Sequence, residues 1–481
     1  MKISKIKILK NENSKYYILL ALLTTLMRLP YFLAKYTLGV DDGIYAMSAK
    51  HVAKGSIPFR EVFSSQGAWF IDIIALPMRI FGYSHQASRV IPVLAGIVIV
   101  ITSFKIAKRY MSPNIAFFCA LTVGLSGTLS RTTSAITSDG LVIAFALLCI
   151  LYSFKLVENP TMLNTALLGI FLGLGCSVKS IFMVPTIIFI IYSTYRVSYN
   201  KRIIAGIISI VIFVIPFLVY GFKNVWNQSI AYHLEKDESL SVASNLKKML
   251  TTFTSLDILA VVLVLALLAL IFLNKSKAPN INIKSKYPLY AFIIQVLSTF
   301  LLLTIQSPLF RNHLAILVPT SIILIFIFIQ PIFNMRNLSN ALIITLLLLS
   351  SIYTSINLIN DNQFGTNKNS TNYQTILSKF QQSKNSMLIT NDVGLAFDAE
   401  MDVPLGLEDT SKYRFISKNK NLKINSKTFA KYIDDKKTCS IALDTTSKGR
   451  TFKIESKLGS DWRMVNDKFG YKIWVNKKRC S

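Results

Sequence analysis

The chain has 481 residues, 52% of them hydrophobic and only 16% charged, with a mean hydropathy of +0.47. That is too apolar for an ordinary soluble protein, so apolar spans of about 20 residues, rather than globular cores, set the architecture. The net charge of +29 does not point to nucleic acid, because the basic residues fall in short loops between apolar spans and in a polar tail, where membrane topology and anionic lipid account for them.

The basic start, MKISKIKILKNENSK, runs into YYILLALLTTLMRLPYFLA with no small-residue cleavage pattern behind it. It reads as an uncleaved first span with its amino end in the cytoplasm. Immediately after it comes VDDGIYAMSAKHVAKG, whose Asp41-Asp42 pair is the most informative feature of the chain. Ionised carboxylates at a membrane boundary are costly unless water, a cation or a reacting group compensates them. Ile44, Met47, Ala49 and Val52 with a closing Gly55 fit a short amphipathic helix, which places the pair at a helix N-terminus. The structural alternative is that the two carboxylates only cap that helix.

Residues 67–82, GAWFIDIIALPMRIFG, are apolar but hold Asp72, Pro77 and Arg79, which fits a helix lying at the membrane surface better than a short span. Further apolar segments centre near Val98, Leu121, Leu147, Leu168, Ile188, Val211, Val264, Val296, Leu324 and Leu347, giving roughly eleven spans. Lys105, Lys108 and Arg109, then Lys201 and Arg202, then Lys275, Lys277, Lys284 and Lys286, and Arg336 all fall on the side of the basic amino terminus. The alternation puts outside the first loop, about residues 36–86, the turn from Arg131 to Asp139, the loop from Lys223 to Thr254, the SPLFRNH turn, and everything after Asn360. That tail is rich in Asn, Lys, Ser and Thr, with short runs such as SMLIT, CSIALD and YKIWV. It reads as a linker over 360–375 followed by a small α/β or α+β domain. No internal repeat is visible.

Asp139, in RTTSAITSDGLVIAFALL at the outer end of the fourth span, is the second acidic candidate, with Ser138 or Thr137 as alternative helix caps. Two acidic positions at one membrane face can divide base and orienting roles, or hold a divalent cation such as Mg or Mn. Arg89, Arg131, Lys179, His233, Lys236, Arg311 and His313 lie at the same face. Singly, each reads as a residue snorkelling to water; collectively, cations beside carboxylates suit an anionic group such as phosphate, for which Arg is a bidentate donor. There is no GxxxxGK[ST] loop, HExxH helix or CxxC pair. Cys119, Cys149 and Cys176 read as buried thiols, while Cys439 and Cys480 in the tail are equally open to pairing or to staying reduced.

In their order along the chain, these motifs resemble the GT-C glycosyltransferases of the protein O-mannosyltransferase and aminoarabinose transferase type, the family 39-like enzymes. The segments that carry the resemblance are DDGIYAMSAKHVAKGSIPF, SRVIPVLAG, TSDGLVIAFALL, LGIFLGLGCSVKSIFMVP, RNHLAILVP and NDVGLAFDAEMDVPLGLEDTSKYR. The resemblance implies a polytopic α-helical membrane module over 1–359 and an extracytoplasmic α/β domain over 360–481. It implies transfer of a sugar from a polyprenyl-phosphate carrier to an acceptor hydroxyl of a protein, glycolipid or envelope glycan, with inversion. Asp42 or Asp41 would be the base, Asp139 the second acidic member, and Lys179, Arg311, His313, Arg89 and Arg131 the donor-phosphate residues. Asp42 and Asp139 would be the ligands of any metal. The chain departs from the family in having Gln66-Gly67-Ala68 where Lys-Pro-Pro or His-Pro-Pro is common, and Asp-Asp where Asp-Glu is common. A carrier or flippase for an anionic lipid-linked sugar, or a surface polysaccharide polymerase or ligase of another family, is the alternative.

Overall fold

The computed structural model describes residues 13–34, 38–235, 241–257, 286–333, 353, 371–380, 386–447, 450 and 453–479. The spans expected near Val264 and Leu347, Lys236, and the pairing of Cys439 with Cys480 lie outside the described residues. The chain forms two compact units. The first comprises Met1–Pro30, Pro92–Phe213 and Glu238–Leu358; the second comprises Tyr31–Ile91, Val214–Asp237 and Ile359–Ser481. The first loop and the tail therefore share one unit, a grouping that linear boundaries do not display.

In the first unit the helices are α1 (Ser14–Leu33, leaving the unit at Pro30), α4 (His85–Ala107, joining it at Pro92), α5 (Pro113–Leu125), α6 (Gly127–Thr132), α7 (Ser138–Glu158), α8 (Met162–Ser193) and α9 (Tyr199–Tyr220, leaving at Phe213). Helices Val242–Leu256, Lys286–Ile305 and Leu317–Phe333 follow, with a 3₁₀ turn at Arg311–Ile316. Six helices among the described residues are long and apolar enough to cross a membrane. The third expected span is shorter than expected, as α5 has 13 residues.

The spans expected around Leu168 and Ile188 run on as the single segment α8, broken at Lys179, whose φ of −161° and ψ of 82° are not helical. The break reverses the chain. A Cβ built on Gly175 falls 2.7 Å from the Met183 sulfur, eight residues on, whereas a continuous helix separates such residues by about 12 Å. The first leg runs parallel to α9: Gly169 meets Ala205 and Ile208, and Gly173 meets Ser209 and Ile212. Two consecutive parallel helices require a return leg between them, and residues 180–193 supply it. Gly169 and Gly173 let the backbones meet, since a Cβ on either falls 2.6 Å from a carbonyl oxygen of α9, the close approach that small residues permit between apolar helices.

Arg28, in α1, is fully buried and donates to Thr133 Oγ1 at 2.7 Å and to the Thr24 carbonyl at 2.9 Å. A Cβ on Gly96 would come within 2.7 Å of its Nε, so the glycine leaves room for the guanidinium. An intramembrane charge is tolerated only where the protein solvates it in this way.

In the second unit, α2 (Val40–Ala53) and α3 (Ala68–Phe81) pack together. α3 has 14 residues, too short to span, and buries Phe70, Ile71, Ile74 and Met78 while exposing Leu76, Ile80 and Phe81, the two-faced character expected of an interfacial helix. The tail has a four-stranded sheet in the order β1-β2-β4-β3, built from β1 (Met387–Thr390), β2 (Thr438–Asp444), β3 (Trp462–Lys468) and β4 (Tyr471–Asn476). β1 and β2 are parallel, and the other neighbours are antiparallel, as the α/β or α+β expectation allows. Ile389, Ile441, Leu443 and Trp474 of the sheet bury against Leu407, Ile424, Phe429 and Ile433. The expected linker over 360–375 is corrected at its end: Thr371–Ser378 is a helix with Tyr373 and Ile376 buried.

α2 is seated on this tail. A Cβ on Gly43 would fall 2.6 Å from the Gly394 backbone of helix Val393–Asp398, an approach that only glycine allows. Lys50 pairs with Asp402 at 2.9 Å, and Lys54 joins the same carboxylate. Although burial raises the Asp402 carboxyl, the two ammonium groups hold it below its usual value; burial pulls Lys50 down. Glu408, with no exposed surface, accepts from the Gly406 N–H and shares a 3.0 Å hydrogen bond with His51 Nδ1.

Candidate active site

The acidic pair of the second unit lies in the first turn of α2, where the helix dipole favours negative charge. The helix-cap reading is corrected: Gly39 occupies the cap position, and no side chain makes a cap hydrogen bond there. Asp41 is exposed, and Asp42 is 6% exposed. Asp42 Oδ2 accepts a hydrogen bond from the Tyr31 hydroxyl.

Arg89 is fully buried; its Nη1 donates to the Tyr31 and Ala34 carbonyls, each at 2.7 Å, and its guanidinium lies 4.1 Å from the Tyr31 ring. The structure thus places this expected phosphate ligand where it fixes the chain leading into Asp42. Gln66, which stands in place of the family's usual basic residue, donates to the Tyr45 hydroxyl of α2 at 2.6 Å. His233 meets the Ser65 carbonyl at 2.6 Å.

In the same unit as Asp42, the tail carries further buried carboxylates that sequence reasoning did not single out. Asp398 bonds His85 Nε2 and the Tyr373 hydroxyl, both at 2.6 Å, and Asp392 takes the Tyr471 hydroxyl. Burial, with Asp409 next in weight, pushes the Tyr232 phenol up, and Asp41 adds to the shift. The only advance signal for these residues is the density of acids in NDVGLAFDAEMDVPLGLED, since their partners lie 25 to 313 residues away.

The first unit gathers four of the expected residues around the α8 break. Asp139, 6% exposed in the first turn of α7, accepts from Lys179 Nζ at 2.7 Å. The loss of helical geometry at Lys179 is what turns its ammonium toward α7. Lys179 also lies 4.7 Å from the Phe182 ring, which meets the His313 ring edge-on at 4.8 Å. His313 is buried, its Nδ1 accepting the Phe310 N–H at 3.4 Å. Arg131, buried in α6, donates to Asn312 Oδ1 at 3.2 Å. Arg311 stays exposed.

Asn312 and Asp257 went unpredicted. Buried Asp257 accepts from the Thr128 N–H at 3.3 Å and from its hydroxyl, tying down the start of the helix that carries Arg131. A lone acid before an apolar span was its only mark.

As for a divalent cation at Asp42 and Asp139, no group of three His, Cys, Asp or Glu side chains among the described residues could hold a metal ion. One oxygen of each carboxylate is already engaged, by Tyr31 and by Lys179. A cation there would take the other oxygen of each carboxylate.

Aligned over 98% of this chain and 99% of its own, ArnT from Cupriavidus metallidurans bound to undecaprenyl phosphate gives a TM-score of 0.69 at 11% identity. The chain has the GT-C fold. The archaeal oligosaccharyltransferase AglB from Archaeoglobus fulgidus, in complex with an inhibitory peptide and a dolichol-phosphate, has a TM-score of 0.51 at 10% identity, over 90% of this chain and 69% of its own. Residues 66–220 match the dolichyl-phosphate-mannose-protein mannosyltransferase family. No curated protein sequence matches the chain. With this GT-C fold and its apolar helices, the chain is a multi-pass membrane protein.

Proposed function

We propose that this protein is an inverting glycosyltransferase that moves a sugar from a polyprenyl-phosphate carrier to an acceptor hydroxyl at the outer face of the plasma membrane, with its amino terminus cytoplasmic and its tail outside. The observation that carries the proposal is the GT-C fold shared over nearly the full length with a protein solved with undecaprenyl phosphate. The loop-charge alternation supports the orientation.

Asp42 takes the proton of the acceptor hydroxyl as its oxygen bonds the anomeric carbon. The bond from that carbon to the carrier's phosphate oxygen breaks, the phosphate leaves with the electron pair, and the configuration inverts. A hydroxyl needs this deprotonation in the transition state to act as a nucleophile. The Tyr31 hydroxyl, itself held by stacked Arg89, fixes the carboxylate. Lys179, Arg131 and exposed Arg311 are the candidates for compensating the leaving phosphate's charge, Asp139 setting the position of Lys179. His313 has its Nδ1 engaged with the Phe310 N–H.

The test is incubation of purified protein with a polyprenyl-phosphate sugar and a panel of hydroxyl acceptors. Release of polyprenyl phosphate that disappears in Asp42→Asn and falls in Asp139→Asn is expected. Movement of the intact carrier across a vesicle membrane without cleavage would overturn the proposal in favour of a flippase.

A further inference from the structure

Four carboxylates of the tail turn inward: Asp392 and Asp398 are 7% exposed, Asp409 is 1% and Glu408 is 0%. The segment that covers the opposite part of the sheet core, residues 412–433, buries Leu422, Ile424, Phe429 and Ile433. Before and between those apolar positions the lysines face out. Lys418, Lys420, Lys423, Lys427 and Lys431 are all exposed, and the sequence between Asp409 and Asp434 has no acidic residue. Lys423 sits between buried Leu422 and Ile424, so the chain's own alternation sends it outward. Lys427 and Lys431 lie four apart around helix Ser426–Ala430, on one side of it. Among the described residues no carboxylate pairs with any of the five. Glu235 accepts from the Ser417 hydroxyl of this segment at 3.0 Å.

We infer that this face binds an extended polyanion, a polymer bearing phosphodiester or carboxylate groups, independently of the transfer reaction. Lysines packed at two- to four-residue intervals, with no carboxylate paired to them among the described residues, raise the local concentration of such a chain, and binding releases its counterions. Lysine is a hydrated point charge that tracks a mobile anionic chain without demanding bidentate geometry. A lipid surface is the poorer match: interfacial segments insert large apolar side chains beside their cations, and Ile416 is the one strongly exposed large hydrophobe from 412 to 437.

The test uses full-length protein in detergent or nanodiscs, with inorganic polyphosphate and poly-glutamate as probes and fluorescence anisotropy as the readout. Binding is expected to weaken on the order of a hundred-fold between about 50 and 200 mM salt for five contacts, taking a slope of ~0.7 per charge. The quintuple Lys→Gln variant should lose it, and the quintuple Lys→Arg variant should keep it. Thermal melting and donor cleavage, followed in parallel, should be unchanged in both. Binding that survives Lys→Gln, or that shows no salt dependence, overturns the inference. Binding to anionic vesicles as tight as to either polymer overturns the choice of partner. Failure of donor cleavage in wild-type protein would bear on the transferase proposal alone.

Discussion

Asp42 and Asp139 look alike in sequence and in burial, yet the two units treat them differently. Each lies in the first turn of a helix and each is 6% exposed. Asp139 is joined directly by an ammonium at 2.7 Å, whereas Asp42 is held by a tyrosine hydroxyl whose ring carries a stacked guanidinium. A carboxylate with a cation against it is an anchor: its charge is spent on orienting Lys179. The carboxylate of Asp42 is instead positioned by the Tyr31 hydroxyl. The proposed mechanism uses this difference, with Asp42 as the base and Asp139 positioning Lys179.

The sharpest way to break this comparison is to neutralise each acid in turn. Asp42→Asn should cost about 10²–10⁴-fold in kcat, the usual contribution of a general base, measured as polyprenyl phosphate released per enzyme. Equal losses in Asp42→Asn and Asp139→Asn would erase the distinction. Next in size is Lys179→Met, which leaves Asp139 buried without its ammonium; a stability loss of about 1–3 kcal/mol is expected, seen as a lower melting temperature together with a raised donor KM. Adding Asp139→Asn to it should restore the melting temperature but not the KM, since the leaving phosphate still lacks the lysine.

Tyr31→Phe tests the other side. Loss of one hydrogen bond to a retained carboxylate, about 1 kcal/mol, should lower kcat roughly five-fold and leave donor KM unchanged. The smallest effect concerns the seat of α2 on the tail. Asp402 is held below its usual value, against burial, by Lys50 and Lys54. A depressed carboxyl contributes stability above its unfolded pKa, and that contribution is lost as pH falls through the lower folded value. The melting-temperature gap between wild type and Asp402→Asn should therefore hold from neutral pH down to its ordinary pKa of 3.8 and close below it. With the aspartate side chain 23% exposed, about 1 kcal/mol or less is at stake.

Much of this protein is legible without coordinates. Apolar run length and loop charge give a multi-pass helical chain; a run-length reading separates Leu168 from Ile188, and the break at Lys179 shows why that reading holds although no polar loop divides them. The Asp41-Asp42 and Asp139 positions at helix N-termini follow from local pattern. Their partners do not. Tyr31 is eleven residues from Asp42 and in another helix, Asn312 is 181 from Arg131, and nothing periodic links them. Arg89, an expected phosphate ligand by its place in the motif, is found clamping two carbonyls because burial left its guanidinium no water.

Composition and hydrophobic run length determined that the chain lives in a bilayer, because no soluble fold can hide so much apolar surface. Local helix chemistry determined where its acids stand. Only the tertiary structure decided what each acid touches, and that the tail beyond residue 386 closes on the first loop through Gly43, Lys50 and His51. Such contacts join residues some 350 positions apart, and their register is set by how two packed backbones approach rather than by any spacing written along one of them.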